Sequence, residues 1–255
     1  MDLALTGRRA LVTGASKGIG RAIALSLAAE GCHLDLVART ATDLDALADE
    51  IHSTHGVQVT THARDLGISE QVTDLVEGLD HLDLVVNNAG AIPSGSLTEV
   101  DEETWRHAWD LKVFGYINLC RLALPRLEEQ GRGVILNIIG GAGARPNPGY
   151  IAGTAGNAGL MAFTTALGGR SLKRGVRVLA INPGLIVTER LETLMRATAE
   201  RQWGDPDRWE ELLSGQNPPP GQPDQVASVA TFLLSDRADH VSGVVLAVDG
   251  GSSAR

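Results

Sequence analysis

Short apolar runs alternate along the chain with longer segments whose apolar residues recur every three to four positions. The runs with strand character cover residues 10–12, 34–38, 57–61, 82–86, 133–138, 176–181 and 244–248. The segments with helical spacing cover 21–30, 42–55, 69–78, 102–127 and 150–173. This alternation predicts a parallel sheet covered by helices on both faces, with ligands at the carboxyl ends of the strands. We predict one doubly wound α/β domain with seven strands over residues 1–255.

The stretch from 188 to 222 interrupts the alternation. It contains Met195, Trp203 and Trp209 and ends in a proline-rich run. We expect it to be an irregular lid over the ligand-binding edge of the sheet. Its large side chains either line an apolar substrate pocket or only attach the segment to the body, and the sequence leaves both interpretations open.

The charge balance limits the partners of the protein. The chain has 31 acidic and 22 basic residues and a net charge of −9, which disfavours binding to nucleic acid or to an anionic membrane. No apolar run is as long as a membrane span, and the start of the chain lacks a secretory apolar region. We therefore expect a cytoplasmic protein. Its histidines show no spacing typical of a metal site.

A glycine-rich turn follows the first predicted strand and precedes the first predicted helix. The turn contains Gly14, Ser16, Lys17, Gly18, Ile19 and Gly20. Glycines let a ligand approach the backbone closely, and the free N–H groups at the start of a helix attract an anion. We expect this turn to bind the pyrophosphate of a dinucleotide, although such a turn alone is also compatible with a simple tight loop.

The end of the second strand bears on the choice of dinucleotide. An acidic residue there would accept hydrogen bonds from the adenosine ribose and repel a 2′-phosphate, but this chain has Ala38. Arg39 and Lys17 are instead suited to pair with a 2′-phosphate. We therefore expect NADP as the cofactor rather than NAD. The alternative is that both residues are ordinary surface cations.

Further motifs follow in a characteristic order. They are Asp65-Leu66, Asn87-Asn88-Ala89-Gly90, Asn182-Pro183-Gly184 with Thr188, and Val248-Asp249-Gly250-Gly251. Together with the glycine turn, they resemble the short-chain dehydrogenase/reductase family over almost the whole chain. The resemblance implies a Rossmann-type fold and a set of cofactor-binding residues that includes Asp65 and Leu66 at the adenine, Asn88, Ala89 and Gly90 beside the central sheet, and Pro183, Gly184 and Thr188 at the nicotinamide.

The catalytic residues of that family do not match. Active members use a tyrosine to transfer the proton at the carbinol oxygen, a serine to orient the carbonyl, a lysine to lower the tyrosine pKa, and an asparagine to anchor a relay water. Alignment on Asn157-Ala158-Gly159 places Gly153 at the tyrosine and Asn157 at the lysine. Gly140 falls at the serine and Lys112 at the asparagine.

Two side chains are candidates to replace the lost acid. Lysine and asparagine exchange places between positions 112 and 157, so an ammonium at Lys112 would reach the same volume from the opposite helix. Lys112 shares a helix face with apolar residues, where burial would lower its pKa towards neutrality. Tyr150 precedes Gly153 by one turn, and the missing side chain there leaves space for its phenol. The alternatives are a Lys112 that extends to solvent and a Tyr150 that packs on its own loop.

Three glycines bear on assembly. Gly153, Gly156 and Gly159 lower the helix propensity of the segment 150–173, and small residues on one helix face permit close approach of another helix. In the family this helix and the preceding one form the subunit interface. We expect a homo-oligomer, either a tetramer or a dimer.

Three functions fit these observations. The first is an NADP(H)-dependent oxidoreductase that transfers hydride between a carbonyl and an alcohol on a small molecule, with Lys112 or Tyr150 as a non-standard proton donor. The second is a catalytically silent cofactor-binding or scaffold subunit that pairs with an active relative. The third is non-redox chemistry, such as elimination or hydration, on the same fold. The fold alone does not decide between them.

Overall fold

The computed structural model describes residues 2–254. One seven-stranded parallel sheet has the order β3-β2-β1-β4-β5-β6-β7. Its strands are β1 (Arg9–Thr13), β2 (His33–Ala38), β3 (Val59–Ala63), β4 (Leu84–Asn87), β5 (Gly133–Ile138), β6 (Val176–Pro183) and β7 (Val245–Val248). Because β4 pairs with β1 on the side opposite to β2, a crevice opens outside the carboxyl ends of β1 and β4. The predicted doubly wound sheet is confirmed.

Helices cover both faces of this sheet. They are α1 (Gly18–Ala29), α2 (Ala41–His55), α3 (Ser69–Glu77), α4 (Glu102–Trp109), α5 (Gly115–Glu129), α6 (Ile151–Ser171), α7 (Glu189–Trp203) and α8 (Pro223–Leu234). One apolar cluster joins the sheet to α1, α2 and α8, and a second joins it to α3 and α5. Every residue of β5 and β6 is buried, because central parallel strands are covered on both sides.

The prediction of irregular structure over 188–222 is wrong over much of its length, since residues 189–203 form α7. That this segment acts as a lid stays a prediction. Thr188 caps this helix by accepting a hydrogen bond from the Leu191 N–H (3.1 Å), and Gly204 ends it in the left-handed conformation. Only Leu191 and Ala199 are buried along α7. Because so few residues of α7 are buried, its sequence lacks the regular apolar stripe from which a helix is normally predicted.

The prediction of one unbroken α-helix over 102–127 is also wrong. A π turn at Asp110–Phe114 separates α4 from α5. A π turn accommodates an extra residue and redirects the side chains within it, and such turns occur frequently at functional sites. Lys112 lies at the centre of this one.

A buried ionic cluster joins the first three strands. Asp35, which is 1% exposed, accepts a hydrogen bond from Arg9 Nε (2.6 Å) and lies 2.8 Å from His62 Nε2. Burial alone would raise the pKa of Asp35. The hydrogen bonds from His62 and Arg9 outweigh this effect and hold the pKa below its ordinary value.

Replacing Asp35 by Asn should lower the free energy of unfolding by about 1–3 kcal/mol, because Arg9 loses a charged partner. The folded-state pKa of Asp35 is depressed, so its stabilising contribution is complete above about pH 3.9 and is lost as the pH falls through the folded-state value. Urea unfolding of wild type and Asp35→Asn at about pH 5 and about pH 3 checks this. The difference in the free energy of unfolding between the two proteins should be smaller at the lower pH. Asp49→Asn, at an exposed position of α2, is the control, and a loss as large there would contradict the assignment.

Candidate active site

The turn between β1 and α1 is a tight backbone cradle. A Cβ at Gly20 would lie 2.2 Å from the Gly14 carbonyl oxygen. Gly14 and Gly18 have φ values of +62° and +53°, which favour glycine. No side chain caps the first turn of α1. The N–H groups there are available to an anion at the mouth of the crevice.

The end of β4 is hydrogen-bonded to this cradle. The side-chain amide of Asn88 donates to the carbonyl oxygens of Thr13 (3.0 Å) and Gly14 (3.2 Å). The backbone N–H groups of Asn88 and Ala89 donate to Thr13 Oγ1 at 2.9 and 3.1 Å. These bonds fix the loops after β1 and β4 relative to each other, on the two sides of the crevice.

The segment after β6 borders the same crevice. Pro183 ends β6, and the Gly184 N–H donates to the Val248 carbonyl oxygen (3.0 Å). Thr188, the cap of α7, packs on the glycine turn, because its Cγ2 lies 3.1 Å from where a Cβ of Gly18 would be. The start of α7 thus contacts the cradle directly.

Two arginines stand side by side at the ends of β2 and β3. Ala38 pairs with Ala63 in the sheet, and Arg39 and Arg64, the residues that follow, are both exposed. Asp65 comes next and accepts the backbone N–H two residues further on (2.9 Å). Arg64 has no signal in the sequence, since its proximity to Arg39 depends on the register of two strands.

Lys17 has a partner across the crevice. Its Nζ lies 3.1 Å from Glu189 Oε2 at the start of α7, and both side chains are exposed. The hydrogen bond to Glu189 raises the pKa of Lys17. A 2′-phosphate at Lys17 would therefore compete with this carboxylate.

Lys112 is buried where the π turn meets the ends of β4 and β5, and only 8% of it is exposed. Its Nζ donates to the Ile138 carbonyl oxygen (2.7 Å) and to the Tyr116 hydroxyl (2.7 Å). That hydroxyl donates to the same carbonyl oxygen (2.9 Å). The aliphatic part covers Gly90, where a Cβ would lie 2.5 Å from Lys112 Cδ. The alternative of a lysine that extends to solvent is wrong.

The charge of Lys112 is poorly compensated. Burial lowers its pKa to about 7, and the positive charge of Arg190 contributes in the same direction. No carboxylate forms an ion pair with Lys112 anywhere in residues 2–254. The ammonium and the neutral amine are therefore both populated near neutral pH, as a group that donates and accepts protons requires.

The Tyr150 ring lies against Gly153. A Cβ at Gly153 would lie 1.9 Å from Tyr150 Cε1 and 2.2 Å from its Cζ. Tyr150 also packs against the apolar cluster formed by Ile92, Ala108 and Ala152. The hydroxyl is bonded to Cζ and so stays near the backbone of α6, whereas a tyrosine at 153 would carry its hydroxyl at the far end of its own ring.

Asn157 faces Gly140. A Cβ at Gly140 would lie 3.0 Å from Asn157 Nδ2. Asn157 is 3% exposed, and its Oδ1 has no hydrogen-bond partner within residues 2–254. A buried acceptor of this kind is costly unless a ligand or a water donates to it. Asn157 Oδ1 is therefore a buried acceptor that would be stabilised by a hydroxyl donor.

Metal-binding clusters and membrane-spanning helices are both absent from residues 2–254. No group of three or more His, Cys, Asp or Glu side chains in that range is arranged to hold a metal ion. No helix in the same range combines the length and the apolar character needed to cross a membrane.

The lowered pKa of Lys112 can be measured directly, because the chain has three lysines, Lys17, Lys112 and Lys173. In protein labelled with ¹³C at lysine Cε, one resonance should titrate with a midpoint of about 7. Lys112→Met should remove that resonance. Between the folded-state pKa of about 7 and the unfolded-state pKa of about 10.4, this lysine is protonated only in the unfolded state. The free energy of unfolding should therefore rise with pH over that range. Titration of all lysine resonances near about 10.4 would contradict the assignment.

Comparison with known proteins identifies the family. The family model for short chain dehydrogenases matches residues 8–199. A 3-oxoacyl-[acyl-carrier-protein] reductase of Synechocystis sp. is 35% identical, over 97% of this chain and 98% of its own.

Solved structures agree with this match. The L-sorbose reductase of Gluconobacter frateurii, complexed with NADPH and L-sorbose, superposes with a TM-score of 0.90 at 31% identity and covers 100% of both chains. A 7α-hydroxysteroid dehydrogenase complexed with NADH and 7-oxo glycochenodeoxycholic acid gives a TM-score of 0.87 at 29% identity, over 98% of this chain and 96% of that one. The chain belongs to the short-chain dehydrogenase/reductase family of oxidoreductases.

Proposed function

We propose that this protein is an NADP(H)-dependent oxidoreductase that interconverts a carbonyl and an alcohol on a small molecule, with Lys112 exchanging the proton. The observation that carries the proposal is the buried Lys112 amine, with a pKa of about 7, at the position that aligns with the relay asparagine of the family. The reductase names of similar proteins, among them one complexed with NADPH, support the reaction class.

The residues present fit a dinucleotide. The uncapped start of α1 suits a pyrophosphate, and the exposed guanidinium groups of Arg39 and Arg64 suit a 2′-phosphate. The unpaired Asn157 Oδ1 suits a donating ribose hydroxyl. Pro183, Gly184 and Thr188 are the proposed contacts of the nicotinamide. Bound NADPH would supply the hydride for the carbonyl carbon.

The role of Lys112 follows from its surroundings. The Ile138 carbonyl and the Tyr116 hydroxyl fix the amine in place through two of its three possible N–H bonds, so one N–H is left for a substrate oxygen. As negative charge develops on that oxygen, the ammonium stabilises it and donates a proton. In the opposite direction, the neutral amine accepts the proton of the alcohol.

Tyr150 is the second candidate for the proton, because its ring borders Gly153. Its phenol packs on an apolar cluster and its hydroxyl stays near the α6 backbone. These contacts favour Lys112 as the proton donor. The variants Lys112→Met and Tyr150→Phe distinguish the two candidates.

The cofactor preference can be tested by calorimetry. Arg39→Gln and Arg64→Gln should each weaken NADPH binding about tenfold, since each removes a charge-assisted contact to the 2′-phosphate. NADH binding should not change. Arg170→Gln, at an exposed position of α6, is the control. Equal losses for NADPH and NADH would contradict the phosphate contact, and absence of binding of both nucleotides by wild type would refute a redox function.

The proton donor can be tested by turnover of a carbonyl panel that includes L-sorbose. Lys112→Met should lower kcat about 100-fold or more, while Tyr150→Phe should retain most of the activity. The rate of carbonyl reduction by wild type should fall as the pH rises through about 7, because the ammonium is then lost. The Lys112→Met profile should lack this step.

Lys173→Met is the matched control, because this lysine is exposed. If Tyr150→Phe loses activity and Lys112→Met keeps it, Tyr150 is the proton donor and Lys112 is not. Tight NADPH binding without turnover of any panel compound would favour the silent cofactor-binding subunit.

A further inference from the structure

The start of α7 contacts the crevice on two different sides. Thr188 and Glu189 face the glycine turn, through the packing on Gly18 and the ion pair with Lys17. Arg190 instead donates a hydrogen bond to the Ile92 carbonyl oxygen, on the loop that follows β4. Its guanidinium is therefore on the Lys112 side of the crevice.

Arg190 and Lys112 flank the same short loop. Lys112 covers Gly90, and Arg190 is bonded to Ile92 two residues later. The charge of Arg190 contributes to the lowered pKa of Lys112, so the two cations interact electrostatically. The crevice thus concentrates positive charge where a substrate would meet the amine.

Among residues 2–254, no carboxylate forms an ion pair with Lys112 or Arg190. Glu189 pairs with Lys17, and Glu192 pairs with Arg196 at 2.8 Å. Within residues 2–254, Arg190 forms no ion pair, and it is only half-buried. A guanidinium has five N–H donors, and the Ile92 carbonyl occupies only part of this set. Its remaining donors are available to a ligand.

We propose that Arg190 binds a carboxylate of the substrate, and hence that the substrates are oxo acids and the corresponding hydroxy acids. A planar guanidinium matches a carboxylate with two parallel hydrogen bonds, and an anion relieves the repulsion between Arg190 and Lys112. The inference rests on the proposed function and names its substrate class. The pyrophosphate of the cofactor offers the same anionic chemistry, but Thr188 and Glu189, and not Arg190, face the glycine turn.

Matched ligand pairs test the inference without turnover. Pyruvate and acetone, and phenylglyoxylate and acetophenone, differ only by a carboxylate in place of a methyl group. Calorimetry on protein saturated with NADP⁺ should show each oxo acid binding at least about tenfold more tightly than its ketone. Arg190→Gln should abolish this difference, and Arg190→Lys should retain part of it, because the charge stays while the planar fork is lost.

Arg201→Gln is the matched control. Arg201 also lies on α7 and contacts the loop after β4, through Ser94 Oγ (3.0 Å), but it is about 16 Å further along the helix. It should keep the preference for oxo acids. Retained NADPH binding and an unchanged thermal midpoint would show that Arg190→Gln is folded.

Three results would overturn the inference. The first is equal binding of the oxo acid and its ketone by wild type, including no binding of either. The second is a preference for oxo acids that survives in Arg190→Gln. The third is an Arg190→Gln variant that binds NADPH more weakly but binds oxo acids as wild type does. This result would show that Arg190 contacts the pyrophosphate and not the substrate. In all three cases NADP⁺ binding by wild type leaves the proposed function standing, whereas its absence refutes that function itself.

Discussion

Burial of the Lys112 amine against the Ile138 carbonyl is the constraint on which the rest of the site depends. The buried ammonium donates hydrogen bonds to one carbonyl and one hydroxyl and loses the water that would surround it at the surface. This loss of hydration lowers the pKa of Lys112 to about 7. Relative to an exposed lysine, a shift of this size corresponds to about 5 kcal/mol of destabilisation of the ammonium with respect to the neutral amine. Proteins keep such unfavourable groups mainly where their chemistry is used.

Three glycines make this arrangement possible, because each lies under the side chain of another residue. Lys112 covers Gly90, Asn157 faces Gly140, and the Tyr150 ring lies against Gly153. A Cβ at these glycines would lie 2.5, 3.0 and 1.9 Å from the nearest atom of those side chains. A serine at position 140 or a tyrosine at position 153 would therefore need space that Asn157 or Tyr150 occupies, and either single substitution would create a steric conflict.

Much of the fold was predictable from the sequence, because the central strands are continuous apolar runs and the glycine turn has a strict local geometry. The apolar neighbours of Lys112 on one helix face favour its inward direction, but they leave extension to solvent open. The same periodicity predicts an unbroken α-helix and gives no sign of the π turn around Lys112. The predicted third strand begins at the buried Val57, whereas β3 begins at Val59, which pairs with Leu34.

The cations that the sequence did not reveal have a common origin. Arg64 is brought beside Arg39 by strand register, and Arg190 is brought near Lys112 by a helix whose buried face is too small to be recognised. Both are contacts between segments distant in the chain. Periodicity and local motifs carry no information about such contacts, whereas the hydrogen bond of Arg190 to Ile92 shows its position directly.

The most direct test of the central claim is to follow the ¹³Cε resonance of Lys112 while NADPH is added. If the amine lies beside the nicotinamide, saturating NADPH should shift this resonance and its titration midpoint, and the exposed Lys173 should not respond. A Lys112 resonance that stays unchanged at saturation would contradict the account, because the amine would then be too far from the cofactor to serve the reaction.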